Sequence, residues 1–288
     1  MRLRSVLIAA GAAAALAAPA LAHRQWLLPA ATSLAGTDQW VTVDAAISND
    51  LFYPDHFPMR IEQVKAWAPD GSPATIENAA TGRYRSTFDV KVDKAGTWKI
   101  GAENASVSGS FKLNGEEWRV GGRRGPPPGA QPAGQPARPM PKFVATPAEI
   151  PADATDVKLT EVSSRNFIFV TAGEPTTTVF APTGKGLEFQ PVTHPTSLVA
   201  DEPAEFRFLV DGKPAVGVKV TVVPGSKKFR AAEGAQELTT GADGSVKVSW
   251  PVPGFYWISA SLSDKRATTP RATGRRMSYT TTVEVPAP

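Results

Sequence analysis

Trp40-Val41-Thr42-Val43-Asp44-Ala45-Ala46-Ile47 sets Val41, Val43, Ala45 and Ile47 on one side of an extended chain and Thr42 and Asp44 on the other. A period of two marks a strand with one buried face, because successive side chains point to opposite sides of a sheet. The pattern returns along the chain. Tyr84 to Val92 alternates through Phe88, Val90 and Val92, and Thr97 to Ala102 and Val107 to Leu113 follow before an Asn114-Gly115 turn suited to a hairpin. Arg60 to Trp67, Val157 to Val162, Phe167 to Thr171 and Thr176 to Ala181 have the same character. Past Gly186, strands are expected at Ala204 to Val210, Val216 to Val223, Val246 to Trp250, Phe255 to Leu262 and Ser278 to Val285. Turn signals at Asp211-Gly212-Lys213-Pro214 and Asp243-Gly244 punctuate them. Short strands at this spacing predict an all-β chain of two antiparallel β-sandwich domains, residues 23–182 and 183–288. The seven tryptophans, Trp26, Trp40, Trp67, Trp98 and Trp257 among them, read as sandwich core.

The residues before the first strand read differently. Met1-Arg2-Leu3-Arg4 is basic, Val6 to Ala18 is apolar but short for a membrane span, and Ala20-Leu21-Ala22 supplies small residues at −3 and −1. That is a cleavable signal peptide over residues 1–22, which implies export and a mature chain starting at His23. No second apolar run is long enough to span a bilayer, so no membrane span is expected after cleavage. There is no cysteine, which excludes disulfides and thiolate ligands and moves any metal site toward nitrogen and oxygen donors. The formal charge of +4 is concentrated. Arg119, Arg123, Arg124, Arg138 and Lys142 fall in one stretch without acidic residues, so the balance argues against a nucleic-acid-binding domain. Residues 121–141 within it carry seven prolines and read as an extended loop that folding does not need.

Chemistry has few places to reside. No Gly-x-Ser-x-Gly, phosphate-binding glycine loop or His-Glu-x-x-His stretch is present, so no enzyme is expected. The histidines are His23, His56 and His194. An N-terminal His23 offers its ring Nδ1 and an α-amine that titrates at about 7.7–8.0, and the two can chelate one metal ion. His56 lies in Tyr53-Pro54-Asp55-His56-Phe57-Pro58, where Asp55 could orient the imidazole. Two imidazoles and an amine make a three-nitrogen set suited to copper(II) and acceptable to nickel(II). Asp50, Asp44 and Tyr53 are further candidates around it, and His194, flanked by Pro191 and Pro195, is the weakest candidate ligand.

The stretches His23-Arg24-Gln25-Trp26-Leu27-Leu28-Pro29, Trp40-Val41-Thr42-Val43-Asp44 and Ser48-Asn49-Asp50-Leu51-Phe52-Tyr53-Pro54-Asp55-His56 resemble domain-of-unknown-function family 4198. So do Gly186-Leu187-Glu188-Phe189, Gly254-Phe255-Tyr256-Trp257 and Arg276-Met277-Ser278-Tyr279. The resemblance implies a β-rich periplasmic protein. It links some members to nickel or cobalt uptake beside TonB-dependent outer-membrane receptors, and it favours convergence of His23 and His56. Gly212-Lys213-Pro214-Ala215-Val216-Gly217-Val218-Lys219-Val220 is similar to the hairpin of carboxypeptidase-regulatory-like and bacterial immunoglobulin-like sandwiches. The expectation is a periplasmic protein that binds a divalent transition metal, nickel, cobalt or copper, and supports its uptake or delivery. The alternatives are a protein- or glycan-binding module without metal and, less favoured, a copper-dependent oxidase.

Overall fold

The computed structural model describes residues 23–121 and 142–288. The expected signal peptide and the proline-rich residues 122–141 lie outside them.

The described chain is built from three sheets. Strands Arg24–Pro29, Gln39–Ser48, Ser86–Val92 and Glu77–Thr81 form the first, with Phe57–Pro58 on the end of Gln39–Ser48. Leu187–Pro191, Ala204–Val210, Lys213–Pro214 and Ser245–Val248 form the third. Between them runs an eleven-stranded sheet containing Gly96–Leu113, Thr155–Ala172, Ala272–Val285, Gly254–Asp264 and Lys219–Pro224 in that spatial order.

Thr155–Ala172 is the strand on which both halves meet. Every residue from Asn166 to Ala172 is buried. Ile168, Val170 and Ala172 enter one core with Val41, Val43, Phe88, Val90, Trp98 and Ile100. Phe167 and Phe169 enter the other with Phe189, Phe206, Phe208, Trp250 and Tyr279. Alternate side chains of one strand therefore serve cores on opposite faces of one sheet. The all-β expectation holds, and the two largest cores lie on opposite faces of one shared sheet. Strands from both sides of residue 183 lie in the eleven-stranded sheet.

The seam also departs from the antiparallel expectation. Thr155–Ala172 pairs antiparallel with Gly96–Leu113 but parallel with Ala272–Val285, Ile168 opposite Thr282. Parallel neighbours need a long crossover, and here the crossover is the rest of the second half. Glu116–Val120 and Lys142–Val144 are likewise parallel and flank the proline-rich stretch.

Two long strands replace four expected short ones. Gly96–Leu113 runs unbroken through Glu103-Asn104-Ala105-Ser106, and Thr155–Ala172 runs beside it over nearly its full length. At Gly109 a Cβ would stand 1.9 Å from the Lys158 carbonyl oxygen, so that crossing admits only glycine. The Asn114-Gly115 turn forms as expected, both residues at positive φ, with Leu113 opposite Glu116. Thr176 to Ala181 is a short 3-10 turn, not a strand. Trp26, Trp98, Trp250 and Trp257 are buried, whereas Trp40 is exposed. Its parity explains this, since it lies across the strand from Val41 and Val43.

Candidate functional site

Register places the two N-terminal histidines together. Arg24 stands opposite Ser48 on one side of Gln39–Ser48, and Phe57 stands opposite Ile47 on the other. The residue before each partner, His23 and His56, therefore leaves the sheet at the same end of the central strand. Their rings stack across that end, centroids 3.5 Å apart and planes 20° from parallel, and Phe57 packs against His56 at 3.9 Å. His23 is exposed and His56 half-buried.

The loop carrying His56 is held from inside. Trp26 Nε1 donates to Ser48 Oγ at 2.6 Å, and Ser48 Oγ donates to the Asp50 carbonyl at 2.5 Å. Asp55 accepts from the Asn49 backbone N–H at 2.9 Å and from its side-chain amide at 3.3 Å. Phe52, at φ 62°, makes the reversal between them. Partial burial is the main cause that lowers the pKa of His56, the neighbouring charge of His23 adds to it, and Asp55 opposes both.

The second half braces this end. Arg24 grips Glu233 through both carboxylate oxygens, at 2.6 and 3.1 Å, while its guanidinium covers the Trp257 ring. Lys227 pairs with Asp50 at 3.2 Å. Beside them a cleft of about 380 Å³ is lined by Leu51, Phe52, Tyr53, Lys228, Phe229 and Phe255. Tyr53 is 50% and Phe229 78% exposed, and Lys228 Nζ lies about 5 Å from both rings. These second-half residues were not among those picked from sequence, although Lys227-Lys228-Phe229 is a visible basic and aromatic run.

The remaining candidates sit elsewhere or are engaged. His194 does not join the pair. Its Nε2 meets Thr97 Oγ1 at 3.1 Å and the Thr176 carbonyl at 3.3 Å, and its Nδ1 meets Thr196 Oγ1 at 3.0 Å. Phe180 closes on the ring edge-to-face. Hydrogen bonds at both nitrogens, Nδ1 accepting from the Thr196 backbone N–H, make it a structural clasp between Thr97 and Thr196, with burial lowering its pKa. Asp50 is paired with Lys227, Asp55 caps Asn49, and Asp44 binds Arg85 at 3.0 Å. Among the described residues no group of three or more His, Asp or Glu side chains is placed to hold a metal ion. Side chains alone thus supply two imidazoles. Two nitrogens fit a copper(II) or nickel(II) ion only if a further donor joins them, and the nearest chemical source is the main-chain nitrogen of His23 itself.

Among the described residues no helix is long and apolar enough to cross a membrane. The family model described as "Domain of unknown function (DUF4198)" matches residues 20–264. Among solved structures, the D0-D1 domain of intimin is similar at 11% identity and a TM-score of 0.21, over 90% of this chain and 97% of that one. The human OSCAR ligand-binding domain is similar at 9% identity and a TM-score of 0.18, over 92% and 100%. No curated protein matches the chain.

Proposed function

The chain belongs to the DUF4198 family, and on that premise we propose a periplasmic protein that binds one divalent transition metal at His23 and His56 and passes it on without turnover. The observation that carries this reading is the 3.5 Å stack of the two imidazoles at the end of the first sheet. An exposed His23 ring in contact with a half-buried His56 ring that is biased toward its neutral form brings two imidazoles within reach of one ion, and imidazole binds a metal only when unprotonated. Removal of residues 1–22 would free the His23 amine as the third nitrogen. Asp55 then acts through the loop, holding Asn49 and so the approach of His56. Copper(II) and nickel(II) suit this donor set, and cobalt(II) is the weaker candidate by the general affinity order. A TonB-dependent receptor or another envelope protein is the proposed recipient.

Calorimetric titration of the protein beginning at His23 tests the reading. The expected result is about one equivalent of copper(II) or nickel(II) bound, with large losses in His56→Ala and in a form extended by one residue before His23, and little change in His194→Ala. Equal binding by the extended and native forms would remove the amine from the site. Equal binding by all forms would remove the site itself. The reading then favoured is a protein- or glycan-binding module, supported by the exposed Tyr53 and Phe229 around Lys228.

A further inference from the structure

A second cleft, of about 260 Å³, opens on the face of the shared sheet opposite the Arg24–Pro29 strand. Register builds it. Trp67 stands opposite Lys99, and Lys99 opposite Phe169, so the three share one face of neighbouring strands. Two residues along, Gly101 stands opposite Phe167. Two further along, Glu103 stands opposite Arg165, and Arg165 opposite Tyr279. Gly101 carries no side chain and the Phe167 ring packs over it, so the middle row is an aromatic floor, with Trp67 and Lys99 on one side and Glu103 and Arg165 on the other. Phe180, Pro182 and Phe189 supply the facing wall.

The charges inside are unequally matched. Arg165 is spent on the Leu187 carbonyl at 2.7 Å and on Glu103 at 3.4 Å. Glu188 is spent on the backbone N–H groups of Thr183 and Gly184 and on the Thr183 hydroxyl. Lys99 has no ion pair among the described residues. Its ammonium rests over the Trp67 ring at 4.5 Å and the Phe167 ring at 5.2 Å, where ring faces offset only part of its charge. Burial lowers its pKa, against the opposing pull of Glu103 and Glu188. Tyr279, 5% exposed, lines the same cleft beside Arg165 and Glu188. A half-buried cation with no ion pair among the described residues, held only by ring faces and by carboxylates at longer range, calls for an anion at close range.

We propose that this cleft binds a small planar monocarboxylate, the anion at Lys99 and the flat body against Trp67 and Phe167. A dianion is disfavoured because Glu103 and Glu188 lie within electrostatic reach of the same ammonium. Flatness follows from walls made of aromatic faces. The site is independent of the histidine pair and stands whether or not a metal binds there.

The probe is trans-cinnamate, titrated by calorimetry into the chelator-treated protein. Cinnamyl alcohol, with a similar body and no charge, and acetate, with the charge and no body, serve as controls. Saturable binding of cinnamate is expected, at least tenfold tighter than either control. Lys99→Met keeps an unbranched stem over the rings and should lose at least tenfold, and Lys99→Arg should retain the preference for cinnamate over cinnamyl alcohol. Melting curves establish that each variant is folded, and His56→Ala should bind cinnamate as the native protein does. Absence of cinnamate binding by the native protein overturns the proposal, as does equal binding of cinnamate and cinnamyl alcohol or unchanged binding in folded Lys99→Met.

Discussion

Truncating Phe169 and Ile168 separately tests whether the shared strand makes the two sandwiches one cooperative body. The residues are neighbours in sequence, and their side chains enter different cores. Phe169 lies 4.5 Å from Phe180 and 6.1 Å from Phe189, centroid to centroid, and is 2% exposed. Phe169→Ala loses the ring's transfer energy and leaves a cavity, about 3–5 kcal/mol in comparable cores. Two lost ring pairs put the cost near the upper end, at about 4–5 kcal/mol. Ile168, fully buried, should cost about 3 kcal/mol as Ile168→Ala. For a chain of this length each kcal/mol moves the midpoint by about 2–4 °C, so the shifts are roughly 8–20 °C and 6–12 °C. The assay is differential scanning calorimetry of the native protein and both variants. A single transition should move in each case, because neither core survives loss of the sheet that floors the other. Two transitions, with Ile168→Ala lowering one and Phe169→Ala only the other, would refute the argument and restore independent domains on either side of residue 183.

Other expectations follow from single contacts. Gly109→Ala should destabilise by about 1–3 kcal/mol, read as a lower urea midpoint, because its methyl would strike the Lys158 carbonyl and force two long strands apart. Arg275 holds Asp211 and Asp264 through hydrogen bonds of 2.5 to 3.1 Å and keeps both carboxyls below their usual range. Their contribution is present above the unfolded carboxylate value near pH 4 and is lost as pH falls below it, so Arg275→Met should cost about 2–3 kcal/mol at pH 7 and flatten the acid limb of the stability curve. His56 and His194 are shifted the other way for bases, toward the neutral form. The unfolded chain therefore takes up their protons first, near pH 6.5, and stability should be full above that value and decline as pH falls through it. His194→Asn should reduce this decline; an unchanged slope in urea melts from pH 5 to 7.5 would count against the clasp.

What the sequence discloses and what it hides have physical causes. Val41, Val43, Phe88 and Val90 alternate because one face of each strand is buried and the other wet, and those strands were readable. Glu103-Asn104-Ala105-Ser106 has no apolar face, so the middle of Gly96–Leu113 carries no periodic signal and is held by cross-strand hydrogen bonds alone. Phe167-Ile168-Phe169-Val170 does not alternate because both faces are buried, which is the mark of a central strand and also the reason its second core stayed unseen. His23 and His56 were readable as a pair of candidates, while their meeting depends on the register of Arg24–Pro29 and Phe57–Pro58 on either side of Ser48, which local pattern does not encode. His194, flanked by Pro191 and Pro195, carries no local sign of its role. Thr196 is two residues away, but Thr176 and Thr97 come from separate segments that no spacing announces. Lys99 was one lysine among many until Trp67 and Phe167 were placed on either side of it.

The parallel seam has a consequence for biogenesis. Ala272–Val285 is the last of the described strands, yet it lies inside the eleven-stranded sheet, between Thr155–Ala172 and Gly254–Asp264. During synthesis from the N-terminus, everything before residue 272 emerges with the closing piece still missing. Through that interval Thr155–Ala172 has an unpaired edge beside Phe167 and Phe169, a template for strand addition by another chain. A chain broken off before residue 272 keeps that edge open indefinitely. The carboxy-terminal strand is thus the keystone: assembly waits for it, and a holdase that shelters a bare strand edge would act most usefully just before it arrives.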